Sequence, residues 1–212
     1  PAVLVCYFAA PRKLKNAVLF VFSLIFYGWG EPRYIVLMIV SIVSGFVFAL
    51  MIEKKQNKKS GLILMWISVA VSLSFLLIFK YADFLIENVN QLPGVSLPLS
   101  KLSLPIGISF YTFQIISYTV DVWRGDTKAQ RNIISFGTYV SLFPQLVAGP
   151  IVRYKTVENE IAHRQIHMED VADGLERFIL GFAKKIIIAN NVGALADKIF
   201  ENNQVSIVGE IV

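Results

Sequence analysis

The residues best equipped for chemistry sit on one uncharged apolar run, 102–120, and just beyond it. Tyr111, Gln114, Ser117, Tyr118 and Asp121 recur at i, i+3, i+6, i+7 and i+10, a spacing that lines side chains along one helical stripe. Hydroxyls, an amide and a carboxylate aligned in this way form either a polar wall facing a buried cavity or a set of interhelical hydrogen bonds that holds a membrane bundle together. A charge at the bilayer centre costs about 2.5–3.5 kcal/mol on insertion scales, so Asp121 at the end of the run is cheaper than it would be midway.

A second candidate is a break in an apolar segment. Residues 133–151 carry Pro144, Gly149 and Pro150, and are flanked by Lys128 and Arg131 before and by Arg153, Lys155 and Arg164 after. Lys and Arg cluster on the cytoplasmic side of membrane segments, so this segment is expected to enter and leave on one side. Non-helical backbone at membrane depth survives only where protein or a water-filled cavity surrounds it. The break therefore marks a functional place.

Other constellations are weaker. His163 and His167 stand four apart in the polar stretch HRQIHME. That spacing suits two imidazoles on a helix face, but no third ligand stands at a matching distance, so no metal site is expected. Lys184 and Lys185 suit either an anionic headgroup or phosphorylated donor, or a pair that snorkels to the interface. There is no Gly-rich phosphate loop, nucleophile elbow or paired-cysteine motif. Cys6 is the single cysteine and has no partner for an internal disulfide.

The elements that must position these residues are membrane helices. The chain is 55% hydrophobic and 17% charged, outside the range of an ordinary soluble domain. Its net charge of +5 comes from Lys and Arg in short loops between apolar runs, which reads as topology and not as a nucleic-acid surface. Spans are expected at about 17–30, 34–52, 61–79 and 102–120. The second has nineteen residues, or roughly 28 Å against a hydrocarbon core of ~30 Å.

Lys54, Lys55, Lys58 and Lys59 make the most basic loop and mark the cytoplasm, with Glu31-Pro32-Arg33 outside. Tyr81 to Leu92 is amphipathic and reads as a segment along the outer surface, ended by Pro93-Gly94. Pro105 and Gly107 fall in the first turns of the fourth span. Residues 171–200 are again amphipathic, with Glu176, Arg177 and Lys184 opposite Leu175, Phe178, Ile179, Phe182 and Ile186. The reading is an all-α polytopic transmembrane bundle with a re-entrant segment at about 133–151 and interfacial helices. It forms one membrane-embedded domain over 1–212. The start at Pro1 and the apolar end at 205–212 read as a piece of a longer protein.

Three blocks, LPIGISFYTFQIISYTVDVWRGD (104–126), FPQLVAGPIVRY (143–154) and GLERFILGFAKKIIIANN (174–191), closely resemble the membrane-bound O-acyltransferase family, and its alginate O-acetyltransferase branch in particular. FKYADF (79–84) resembles that branch as well. The resemblance implies a multi-span enzyme of the bacterial inner membrane that moves an acetyl group toward hydroxyls of an extracytoplasmic cell-envelope polysaccharide such as alginate. It implies acetyl-CoA as donor substrate, no tightly bound cofactor, and a partner protein outside the cell that receives the acetyl group or completes its transfer. The family's catalytic histidine lies in a later apolar segment, so no catalytic residue is assigned among these 212 residues, and the piece alone is expected to be inactive.

The positions that match the family's blocks are Pro105, Gly107, Tyr111, Gln114 and Asp121 in the first, Pro144, Gly149, Pro150, Arg153 and Tyr154 in the second, and Lys184 and Lys185 in the third. Pro and Gly would break helices so that backbone lines a cavity, and Arg153 would supply fixed charge at its cytoplasmic mouth. Two other classes fit broken membrane helices: a secondary transporter and a non-enzymatic membrane scaffold subunit. An inverted hydropathy repeat would favour the first, and none is present.

Overall fold

The computed structural model describes residues 2–56, 58–91, 96–99, 103–146, 149–164 and 167–201. The turn expected at Pro93-Gly94, the first residue of the 102–120 run and the apolar end at 205–212 lie outside them. The chain divides into two compact units, 1–164 and 165–212. Among the described residues all regular structure is helical, an all-α membrane helical bundle.

The first unit contains α1 (Ala2–Ala9), a 3₁₀ turn, α2 (Lys15–Gly30), α3 (Ile35–Lys54), α4 (Lys59–Val89), α5 (Ile108–Arg124), α6 (Ile133–Ser141), α7 (Phe143–Leu146) and α8 (Tyr154–Ala162). Helices α3 and α4 are long and apolar enough to cross a membrane. With 16 and 17 residues, α2 and α5 reach about 24–26 Å.

The exposed faces of these helices carry large apolar side chains, Val36, Val43, Val47, Ile63, Trp66 and Phe113 among them, as expected of segments solvated by lipid. Between helices, small residues set the contacts. Ser41, Gly45 and Ala49 recur every four residues on the buried face of α3, the small-residue stripe that lets membrane helices approach closely. A Cβ on Gly45 would come within 2.6 Å of Ile115 Cγ2 on α5, and one on Gly137 within 2.6 Å of the Phe20 ring on α2. Several hydroxyls inside the apolar helices are satisfied locally. Ser41 donates to the Leu37 carbonyl at 2.8 Å, Thr119 to that of Ile116 at 3.0 Å and Ser141 to that of Gly137 at 2.8 Å, which removes most of the cost of placing them there.

Two expectations change. Tyr81 to Val89 is not a separate surface segment but the last part of α4, which runs 31 residues without interruption. Neither proline nor glycine stands between Leu62 and Val89, so Lys80, Asp83 and Glu87 are carried on the continuing helix. Pro105 and Gly107 precede α5 and do not lie in its first turns: Gly107 holds φ 76°, and the helix starts at Ile108. A residue in the left-handed region interrupts the helical backbone, and glycine takes it without the Cβ penalty.

Residues 130–153 make a hairpin against α5. At its beginning, the Gln130 N–H donates to Tyr118 Oη at 2.7 Å, and Asn132 caps α6 by accepting from the Ile134 N–H at 2.8 Å. At its tip, Leu146 packs under Gly107, and the Phe26 and Phe143 rings meet at 5.4 Å. At its end, Arg153 is back at Asp121. Gly107 and Asp121 are about 21 Å apart along a helix axis, so the segment runs the length of α5 and returns to the end where it started.

The second unit holds α9 (Met168–Lys184), a π-helical turn (Lys185–Ala189) and α10 (Asn190–Glu201). Met168–Phe200 is a third stretch long and apolar enough to cross a membrane. Leu175, Phe178, Ile179, Phe182 and Ile186 are all exposed on it.

Candidate functional site

The site is built on the buried face of α5. Tyr111, Gln114, Tyr118 and Asp121 are each 2% exposed or less, while Ser117 is half-buried at the margin. A step of six residues turns 600°, or 240° net, which takes Ser117 off the stripe that steps of three, four and seven maintain.

At the Arg124 end of α5, Asp121 and Arg153 form a two-pronged ion pair. Arg153 Nε donates to Asp121 Oδ2 at 3.1 Å and Nη2 to Oδ1. The planar guanidinium suits this geometry and a lysine does not. The carboxylate side chain is 3% exposed and the guanidinium side chain 52%, so one partner is sunk in protein while the other reaches outward. The Asp121 carboxylate raises the affinity of Arg153 for its proton, first through the hydrogen bond and then through its charge. Arg153 also lies 3.8 Å from Asp126, which stands 3.9 Å from Lys155.

Local sequence explains how Arg153 arrives there. A Cβ on Gly149 would fall 2.5 Å from Gln145 Cα, so only glycine permits the chain to fold back over α7. Pro150 then starts an extended stretch, and Arg153, itself extended at φ −71° and ψ 143°, is the N-cap of α8. Pro144 lies in α7 and is exposed, as is Pro150.

Beneath the ion pair lies an aromatic cluster. Tyr118 meets Phe136 at 4.7 Å and Tyr154 at 4.9 Å, and Tyr154 meets Tyr139 edge-on at 5.1 Å. Burial makes the Tyr154 phenol harder to ionise. Gln130 ties the cluster together: its N–H goes to Tyr118 Oη, its Nε2 to Tyr154 Oη at 2.8 Å, and its Oε1 accepts from the Arg131 and Asn132 N–H groups. Tyr139 Oη donates to the Val152 carbonyl at 2.8 Å, and Gln145 Nε2 donates back to the Tyr139 carbonyl at 2.9 Å. Glu53, at the end of α3, receives Arg131 and the Ala129 N–H.

At the other end of the stripe, the buried Tyr111 hydroxyl faces the Tyr27 hydroxyl of α2, and among the described residues neither phenol has a well-formed hydrogen bond and Gln114 Oε1 has no partner. Buried polar atoms are ordinarily paired, so these three mark the polar end of the stripe as a place that accepts further hydrogen bonds. Pro105 is buried beside it.

The hairpin thus brings together Gly107, Tyr111, Gln114, Asp121, Gly149, Arg153 and Tyr154. Sequence reasoning missed Gln130, Tyr139 and Glu53. Their only signal was a polar or phenolic group placed next to an apolar segment. Lys184 and Lys185 belong to the second unit, where both are exposed at the junction of α9 and the π turn. His163 ends α8 and His167 caps α9, so they do not share a helix face. Among the described residues no three His, Cys, Asp or Glu side chains converge as metal ligands.

No family model matches the chain, and no solved structure matches it. The chain is 37% identical over 211 residues to the probable alginate O-acetylase AlgI of Pseudomonas aeruginosa, covering 94% of this chain and 39% of that protein. It is 36% identical over 208 residues to the corresponding protein of Azotobacter vinelandii, covering 94% and 41%. A peptidoglycan O-acetyltransferase of Helicobacter pylori is 28% identical over 223 residues, covering 90% and 42%. The chain therefore spans about two fifths of the length of these relatives. With this identity carried through nearly all of its residues, the chain is membrane-bound O-acyltransferase-like and is similar along its length to the alginate O-acetylases.

Proposed function

We propose that this protein is a multi-pass membrane O-acetyltransferase of the bacterial inner membrane, moving an acetyl group from cytoplasmic acetyl-CoA toward a hydroxyl of an extracytoplasmic envelope polysaccharide such as alginate. The observation that carries this is the 37% identity to an alginate O-acetylase across 94% of the chain. The reaction is acyl transfer. A general base takes the proton of the acceptor hydroxyl, whose oxygen attacks the thioester carbonyl, and the coenzyme leaves as a thiol.

Within that reaction, the residues described here shape a passage. The α5 stripe and the hairpin form one wall of it, with Asp121 and Arg153 fastening the hairpin at the basic, cytoplasmic end. A fixed guanidinium, half-exposed at that end, attracts an anionic donor without having to be recruited from solvent. Deeper in the bundle, the Tyr111 and Tyr27 hydroxyls can donate to acyl or acceptor oxygens and Gln114 Oε1 can accept from a hydroxyl, where water is scarce. Exposed Lys184 and Lys185 meet an anionic headgroup layer. An extracytoplasmic partner receives the acetyl group or completes its transfer to the sugar.

Incorporation of labelled acetate into envelope polysaccharide, compared between cells with and without the protein, tests the reading. Label that depends on the protein and is released by mild base as acetate supports it. Equal labelling in both strains, with the protein present in the membrane, contradicts it.

A further inference from the structure

At the basic end of the first unit, two cations converge on one buried phenol, and among the described residues neither is in an ion pair. Lys15 Nζ lies 4.7 Å from the centre of the Tyr7 ring and 6.0 Å from that of Phe8. Arg164 donates from Nη1 to Tyr7 Oη at 3.0 Å, with its guanidinium carbon 5.6 Å from the same ring. Tyr7 is 7% exposed, and both cations are half-buried. The ion pairs of the first unit include Glu53 with Arg131, Asp121 and Asp126 with Arg153, and Asp126 with Lys155. Lys15 and Arg164 take part in none of them. Two partly desolvated like charges around one ring repel each other unless an anion joins them.

The surroundings identify the kind of anion. Asn16, next to Lys15, donates to Ser135 Oγ at 3.1 Å and to the Ile161 carbonyl at 3.0 Å, which holds this corner at the same end of the bundle as Gln130 and Arg153. Running away from it along α1 are Leu4, Val5 and Phe8, which are 60%, 69% and 52% exposed. Leu4 and Phe8 share a helix face, and the Phe8 ring lies directly under the Lys15 ammonium. A cationic corner at the head of an exposed apolar stripe matches a molecule with an anionic head and an apolar tail.

We propose that Tyr7, Lys15 and Arg164 bind the headgroup phosphate of an anionic phospholipid, whose acyl chain lies along Leu4 and Phe8. This site is separate from the hairpin and does not depend on the acetyl-transfer reading. The lipid fastens α1 to the end of α8 that carries Arg164, across the start of α2.

Native mass spectrometry of the detergent-solubilised protein titrated with phosphatidylglycerol tests the site, with phosphatidylcholine and inorganic phosphate as comparison ligands. Retention of phosphatidylglycerol over phosphatidylcholine is expected, and it should fall roughly tenfold or more in K15Q/R164Q, each removed cation weakening the hold on an anionic lipid. K59Q, which removes an exposed lysine at the start of α4, should leave it unchanged. A photoactivatable phosphatidylglycerol should label the unaltered protein within residues 4–8, a readout that needs no variant to fold. Equal retention in K15Q/R164Q, equal loss in K59Q, competition by millimolar inorganic phosphate, or labelling confined to other segments would each overturn the proposal.

Discussion

Asp121 and Arg153, 32 residues apart in sequence, join in an ion pair whose carboxylate is buried and whose guanidinium stands half in the open. The pair joins the end of α5 to the place where the hairpin returns, and its lopsided burial makes its two halves unequal. Removing the arginine strands a buried carboxylate, whereas removing the carboxylate leaves an arginine that reaches water and Asp126. R153Q should therefore lower the melting temperature in detergent more than D121N does. Differential scanning fluorimetry checks the order, and both variants should reduce acetate incorporation at equal expression.

Gly107 turns the chain in the left-handed region directly over the hairpin tip. G107A places a Cβ there at an expected backbone cost of about 1–2 kcal/mol, and that Cβ would lie 2.9 Å from the Leu146 carbonyl oxygen. Lower thermal stability is expected, together with protease cleavage within residues 142–150 that the parent protein resists. Limited proteolysis and mass spectrometry read both.

The close approach of α3 and α5 rests on Gly45. In G45V the branched side chain meets Ile115 at its Cβ-attached methyl, which cannot swing away without changing rotamer, and overpacking of this kind costs about 1–3 kcal/mol. G30A is the control, since a Cβ there meets nothing within 4 Å. Melting temperatures should drop for G45V and stay unchanged for G30A.

Gln130 serves both ends of the hairpin from one side chain. Q130A leaves the buried Tyr154 hydroxyl without its donor, a loss of about 1–3 kcal/mol for a buried polar group deprived of its partner. Q130E retains the acceptor but loses the donor to Tyr154, so it should fall between the parent and Q130A in thermal stability.

Helical periodicity makes part of the site legible in the sequence. Tyr111, Gln114, Tyr118 and Asp121 are legible as one stripe because steps of three and four residues define a helix face whatever surrounds it. Pro144, Gly149 and Pro150 are legible as a break because each disfavours helix for its own stereochemical reason. The partner of Arg153 was not legible, since a charge at the edge of an apolar run looks the same whether it meets water or a carboxylate 32 residues away. Glu53 presents the same problem across 76 residues, where it receives the Ala129 N–H. The length of α4 is not legible at Lys80, because a charge at the end of an apolar run looks like a helix end even where neither proline nor glycine follows within the helix.

The claim on which the rest depends is that residues 130–153 enter and leave at one membrane face. Cysteines placed singly at Lys128 and Lys155, with the exposed Cys6 replaced by serine, can be probed in intact cells and inverted vesicles with a membrane-impermeant maleimide. The account predicts that both react only from the cytoplasmic face. Reaction of the two positions from opposite faces would contradict it.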